Sequence, residues 1–200
     1  IPSCPVATNI DVSVGDDAQT YDGTETISKD AEIDGDVDSN GELTIGKRAK
    51  ISGDVISDGE ISINADAEIG GSVKIRKGRN DIGITANKRA KISGDVINNG
   101  SITIGKDAEI GGSVKIRNGK NDYDITAGKR AKISGDVINN GAISIKEDAE
   151  VGGNVEIRNG KNGYDITVGE GGAVCGSISN NGAITIGKDA EIGGSVKIRN

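Results

Sequence analysis

The chain of 200 residues has no histidine, phenylalanine, tryptophan or methionine, and only three tyrosines. Without histidine it has no imidazole base, no Ser-His or Cys-His pair and no histidine metal site. It has no apolar run near 18 residues, so the sequence predicts no transmembrane span and no membrane insertion. The formal net charge of −7 disfavours nucleic acid and anionic membranes as partners.

Carboxylates are plentiful, but they recur at equivalent positions of a repeat, which favours an architectural role over a catalytic one. The run DVDSNG at residues 36–41 matches the first half of a calcium loop. The closing glutamate of such a loop would fall at Lys47, so the match fails. We therefore expect no enzyme activity, no metal and no cofactor.

The sequence does contain a long internal repeat. The segment KRAKISGDV begins at Lys47, Lys88 and Lys129, a period of 41 residues, and a weaker copy begins on schedule at Glu170. Each unit has two related halves, of 18 and 23 residues, in which apolar and polar residues alternate as they do in strands. A period of this size is typical of solenoids, propellers and arrays.

Eighteen residues are enough for three short strands and three corners. The sequence therefore predicts an all-β fold, a single-stranded triangular β-helix (β-solenoid), with right-handed winding favoured and the handedness left open. We expect an N-terminal extension and capping coil in residues 1–28 and about nine coils of 18 or 23 residues in residues 29–200. These coils, numbered one to nine, begin at Lys29, Lys47, Ala65, Lys88, Lys106, Lys129, Glu147, Glu170 and Lys188.

Stacking the coils predicts continuous inward columns of alanine, isoleucine, glycine and valine. It also places outward charges of alternating sign above one another; for example, Lys91 is expected between Glu68 and Glu109. Like charges directly opposite each other destabilise a sheet, whereas opposite charges stabilise it by roughly 0.2–1 kcal/mol per pair. This alternation explains why the repeat is two coils long.

Residues 51–73, ISGDVISDGEISINADAEIGGSV, resemble bactofilins, the polymer-forming bacterial cytoskeletal proteins, and the likeness covers roughly residues 29–200. The resemblance implies a β-helix that polymerises end to end without nucleotide. Hexapeptides such as IGKDAE at residues 104–109 also resemble the repeats of left-handed β-helix acyltransferases, which depend on histidine.

The chain opens Ile-Pro-Ser-Cys-Pro, without methionine, which is typical of a processed N-terminus, although a fragment would look the same. This opening and the strict repeat depart from the bactofilin pattern. They favour a secreted, extracellular or cell-surface location, with the cytoplasm as the alternative.

We therefore expect a structural protein whose main partner is itself, a subunit of a self-assembling filament built by end-to-end stacking. An alternating N-terminal strand, with Ile10, Val12 and Val14, is expected to build the joint. A disulfide of Cys4 and Cys175 would lock that joint, or would form within one chain. Cys175 aligns with three residues that we expect to face outward: Ser52, Ser93 and Ser134.

The alternative function is an ice- or glycan-binding solenoid or adhesin. One surface for it is an outward ladder formed by Thr44, Thr85, Thr103, Thr126, Thr167 and Thr185. The other is a ridge of five-residue insertions at residues 77–81, 118–122 and 159–163. Both features also have ordinary explanations, because threonine suits exposed strands and surface loops tolerate insertions.

Overall fold

A computed structural model describes residues 19–76, 82–117, 123–158 and 163–199. These residues form 28 short strands in three parallel sheets and contain no helix. Within the same ranges, no helix is long and apolar enough to cross a membrane. The structure confirms the predicted all-β class and the stacked coils of a β-solenoid.

The strands are two or three residues long, in chain order: β1 (Gln19–Tyr21), β2 (Glu25–Ile27), β3 (Glu32–Ile33), β4 (Val37–Ser39), β5 (Leu43–Ile45), β6 (Lys50–Ile51), β7 (Val55–Ser57), β8 (Ile61–Ile63), β9 (Glu68–Ile69), β10 (Val73–Ile75), β11 (Ile84–Ala86), β12 (Lys91–Ile92), β13 (Val96–Asn98), β14 (Ile102–Ile104), β15 (Glu109–Ile110), β16 (Val114–Ile116), β17 (Ile125–Ala127), β18 (Lys132–Ile133), β19 (Val137–Asn139), β20 (Ile143–Ile145), β21 (Glu150–Val151), β22 (Val155–Ile157), β23 (Ile166–Val168), β24 (Ala173–Val174), β25 (Ile178–Asn180), β26 (Ile184–Ile186), β27 (Glu191–Ile192) and β28 (Val196–Ile198). Every third strand belongs to the same sheet. The first sheet runs from β1 through β4 to β28, the second from β2 to β26 and the third from β3 to β27.

Neighbouring strands pair in the predicted register. Ile110 pairs with Ile92 on one side and Ile133 on the other, which are 18 and 23 residues away. Lys91 pairs with Glu68 and Glu109, so the predicted alternation of charge between coils is confirmed. A one-residue slip would turn every inward side chain outward, and this requirement specifies the register strongly.

Part of the N-terminal segment also stacks on the solenoid. Tyr21 pairs with Ser39 and Ile27 pairs with Ile45, so β1 and β2 continue the first and second sheets by one strand each. The predicted strand at Ile10, Val12 and Val14 lies outside the described residues.

The core is a narrow column of small aliphatic side chains. Ala131, Ile133 and Val137, which belong to one coil, each have 0% exposure, and equivalent residues are buried along most of the rod. Each coil adds one thin layer to this column, so large aromatic side chains are not needed to fill it.

Close packing between neighbouring coils, and not turn geometry alone, explains the predicted glycine column. A Cβ at Gly53 would lie 2.1 Å from Oδ1 of Asp36, in the coil below. That oxygen accepts the backbone N–H of Asp54 at 2.7 Å. A Cβ would also lie 2.6 Å from the backbone carbonyl carbon of Gly35, so both the side-chain oxygen and the backbone of the coil below require glycine here.

The same bond recurs at every step of the stack, at 2.7–3.1 Å, and forms a row that we call the oxygen ladder. Each side-chain oxygen accepts the N–H of its counterpart in the following coil. The ladder consists of Asp36, Asp54, Ser72, Asp95, Ser113, Asp136, Asn154, Ser177 and Ser195.

A second corner holds charged residues in the left-handed region of φ. Eight of them have φ between 54° and 62°: Asp30, Arg48, Asp66, Arg89, Asp107, Arg130, Asp148 and Asp189. Arg48 donates two hydrogen bonds to Asp30, from Nε at 2.6 Å and from a terminal nitrogen at 2.8 Å. Bidentate pairs of this kind offset part of the cost of the left-handed backbone.

At the third corner, buried asparagines hold the chain after each insertion. The amide of Asn98 donates to the carbonyls of Ile82, at 2.8 Å, and Ser101, at 3.1 Å. Asn139 and Asn180 make the equivalent bonds. In coils one and two, the same column carries the smaller Ser39 and Ser57, which are also buried.

Candidate functional site

The predicted threonine ladder lines up on the second sheet. Thr85 pairs with Thr103, which pairs with Thr126, and Thr167 pairs with Thr185. Thr103 and Thr167 are exposed, whereas Thr85 and Thr126 are half-buried. The fold therefore brings these hydroxyls into one straight column, a single hydroxyl wide.

The predicted cysteine positions are only partly described. Cys175 is disulfide-bonded, and its N–H donates to the carbonyl of Val151 at 2.9 Å. Cys4 lies outside the described residues. A bonded Cys175 has no free thiol for a second chain, so the assembly proposed below does not rest on it.

The expectation that the serines aligned with Cys175 face outward is wrong for Ser52, which is only 7% exposed. Its Oγ accepts a hydrogen bond from the N–H of Gly35 at 2.7 Å and donates to Asp34 Oδ1 at 3.0 Å. The equivalent Oγ of Ser93 is buried without a hydrogen-bond partner. These hydroxyls lie in a tight corner, which the alternating pattern of the strands cannot predict.

The insertion ridge cannot be located, because residues 77–81, 118–122 and 159–162 lie outside the described ranges. Within those ranges, no group of three or more histidine, cysteine, aspartate or glutamate side chains could hold a metal ion.

The most apolar exposed surface is at the C-terminal end of the described solenoid, and we call it the C-terminal end face. Three of its residues are 41%, 45% and 61% exposed: Ile186, Val196 and Ile198. Their counterparts one coil earlier in the rod, Val168, Ile178 and Asn180, are each 0% exposed. The strands β26, β27 and β28 are outer strands of their sheets at this end, as β1, β2 and β3 are at the other.

A second feature lies on the outer face of the first sheet, where two ion pairs each span a coil. Arg76 in coil three bonds to Asp38 in coil one at 2.7 Å. The strand of coil two lies between them, and its residue next to Asp38 is Ile56. Arg199 in coil nine pairs with Glu156 in coil seven at 2.5 Å, and the residue between is Ser179.

A depression with a volume of about 340 Å³ lies beside the second ion pair, and another of about 460 Å³ lies on the same face beside Ile138 in coil six. The lining of the 340 Å³ depression includes Asn154, Glu156, Ser177, Ser179, Lys197 and Arg199. The Oγ of Ser179 is buried and has no hydrogen-bond partner.

Glu156 is the acidic group of this depression. Partial burial raises its pKa, but hydrogen bonds from Arg199 and Arg158 outweigh that effect, so the pKa lies below its ordinary value. Both carboxylate oxygens are engaged, one by Arg199 at 2.5 Å and the other by Arg158 at 3.0 Å. Glu156 therefore stays ionised at neutral pH.

Sequence reasoning missed this depression, although the sequence held a signal for it. In the same column, coils two, four and six carry isoleucine, and only coil eight carries serine: Ile56, Ile97, Ile138 and Ser179.

No family model matches the chain, and no curated protein or solved structure does so. The resemblance to bactofilins therefore stays a prediction.

Proposed function

We propose that the protein is a structural subunit of a self-assembling filament, in which solenoids stack end to end at the cell surface or outside the cell. The observation that carries this proposal is the C-terminal end face, where aliphatic core residues are 41–61% exposed beside the outer strands of three sheets. Outer strands offer unpaired N–H and C=O groups that can template another chain. The disulfide at Cys175 favours an oxidising compartment.

The two ends can join head to tail because all strands of a sheet are parallel. In this joint, β28 of one copy pairs with β1 of the next and places Ile198 against Tyr21, which lies in the same inward column. Such a contact uses different surfaces on the two partners and does not close, so it propagates into a filament.

Charge supports the same joint. Arg199 and Asp22 lie in one outward column, at its two ends, so this stacking brings them together. The structure contains an internal example of the pair in that column, because Arg76 contacts Asp58 in the adjacent coil at 3.2 Å. Such a pair contributes more to orientation and partner choice than to affinity.

In this joint, each of the other two sheets would have one unfilled strand position. These positions lie between β26 of one copy and β2 of the next, and between β27 of one copy and β3 of the next. The predicted strand at Ile10, Val12 and Val14 is our candidate for one of them.

Negative-stain microscopy and sedimentation of the purified protein test the proposal, with Ile198→Lys as the variant. We expect filaments from the unchanged protein and short single rods from Ile198→Lys, because a lysine would be buried unpaired in the joint. Ile198 is already 61% exposed, so the subunit should fold normally.

The matched control is Ile138→Lys, which places the same new charge on the flank of the first sheet and should leave filaments intact. Arg199→Asp should weaken assembly, and adding Asp22→Arg should restore it. Monodisperse rods from the unchanged protein, or normal filaments from Ile198→Lys, would refute the proposed joint.

A further inference from the structure

Coil eight differs from the equivalent coils on the outer face of the first sheet. Where coil six has Asp136 and Ile138, coil eight has Ser177 and Ser179. Asp136 and Ile138 line the depression of coil six, whereas both changes place a hydroxyl in the lining of the 340 Å³ depression. That volume lies at the lower end of the range for small-molecule sites, which is roughly 300–1,000 Å³.

Ser179 lies on the floor of the depression. It pairs in the sheet with Glu156 on one side and Lys197 on the other. Its Oγ is shielded from solvent and lacks a hydrogen-bond partner. A buried hydroxyl without a partner costs free energy, and a ligand that supplies a partner recovers part of that cost.

The rim offers further hydrogen-bond donors. Asn154 uses Oδ1 to accept the N–H of Ser177, which leaves its amide N–H groups for a ligand. Ser177 uses Oγ to accept the N–H of Ser195 at 3.1 Å, and its hydroxyl lies 3.4 Å from the hydroxyl of Ser195, so one hydroxyl proton of this pair points away from the other.

The net charge of the depression is positive, although the whole chain is acidic. Among the lining residues, Lys197 and Arg199 carry two positive charges against the single negative charge of Glu156, and Arg158 also bonds to Glu156 from outside the lining. Glu156 therefore acts as a clamp for the two arginines and leaves an excess of positive charge for an anionic ligand.

We propose that this depression binds an acidic sugar residue of a glycan. The carboxylate of a hexuronic acid would face Lys197 and Arg199, while ring hydroxyls would bond to Asn154, Ser177 and Ser179. A cationic rim with neutral hydroxyl and amide donors suits a polyhydroxylated anion better than a small inorganic one. This site is separate from the threonine ladder and does not rest on the proposed filament.

Isothermal titration with trigalacturonate tests the proposal, and Ser179→Ile is the decisive variant. Isoleucine occupies the same column in coils four and six, so the variant should fold normally while it fills the depression. We expect affinity to fall by about tenfold or more. Lys197→Gln should also weaken binding and make it less sensitive to salt.

The matched control is Ile138→Ser, which makes the same type of change two coils away and should leave the affinity unchanged. The proposal is overturned if the unchanged protein does not bind trigalacturonate, or if Ser179→Ile and Lys197→Gln both bind as tightly as it does. Equal binding of a neutral trisaccharide would overturn the acidic specificity, and equal binding of sulfate would overturn the sugar.

Discussion

Coils six and eight occupy equivalent places in the repeat, yet their outward side chains have diverged further than their inward ones. The positions that face the core change only between small apolar residues, since Ala131, Ile133 and Val137 correspond to Gly172, Val174 and Ile178. The outward and corner changes are larger, and they include the replacement of Arg130, Lys132, Ser134, Asp136 and Ile138 by Gly171, Ala173, Cys175, Ser177 and Ser179.

The difference separates what the solenoid needs from what it tolerates. Coil eight keeps its three strands without the outward charges of coil six: β24 and β25 pair on both sides, and β26 pairs with β23. The inward column and the corner bonds therefore build the fold, while cross-coil charges add smaller increments.

The largest expected effect tests the shared core. Ile133→Asp in coil six and Val174→Asp in coil eight should each destabilise the protein by at least about 3 kcal/mol, because both residues are 0% exposed and a carboxylate there has no partner. Urea unfolding measures this, with the exposed Lys106→Ala as the control. A small loss for Val174→Asp alone would show that the core of coil eight is less ordered than that of coil six.

An intermediate effect tests the outward charges. Lys132 pairs with Glu109 and Glu150, so Lys132→Glu should align three carboxylates and cost roughly 0.5–2 kcal/mol at low salt. Ala173 pairs with Glu150 and Glu191, so Ala173→Lys should stabilise by roughly 0.2–1 kcal/mol. Thermal unfolding at low and high salt measures both changes, which should shrink as salt screens the charges. Salt-independent changes would contradict the stacked-charge explanation.

The smallest expected effect concerns acid. The hydrogen bond from Arg130 lowers the pKa of Asp107, and partial burial opposes this only in part. A lowered pKa in the folded state gives stability that is present above about pH 4 and is lost as the pH falls through the folded-state value. Asp107→Asn should therefore make the melting temperature fall less between pH 5 and about pH 2.

The matched variant for acid is Asp148→Asn, because coil eight has Gly171 where an arginine would pair with Asp148. This variant should leave the pH profile of the melting temperature nearly unchanged. An equal change in both variants would show that the arginine pairs are not the source of the acid sensitivity.

The sequence was sufficient to predict the architecture, because a fixed period and alternating polarity together determine which residues stack. The position of Ile110 between Ile92 and Ile133 followed from counting. The corners could not be predicted in this way. Nothing in the hydrophobic pattern shows that Asp107 or Arg130 adopts a left-handed backbone.

The candidate sites were predictable in part. The C-terminal end face could not be located from the sequence, because its exposed residues depend on which strands lie outermost. The depression at Ser179 could have been noticed by comparing columns, since serine replaces isoleucine there. Its charge could not have been predicted, because the bond between Arg199 and Glu156 joins coils that are two apart.

The oxygen ladder has a consequence for the dimensions of the rod. Every bond in it is donated by the following coil, so inserting or deleting a whole 41-residue unit preserves each bond on both sides of the change. Each unit would add two coils, or roughly 9.6 Å, without altering the chemistry of either end. The repeat therefore acts as a ruler, and duplication of units can set the length of the rod independently of what its ends bind.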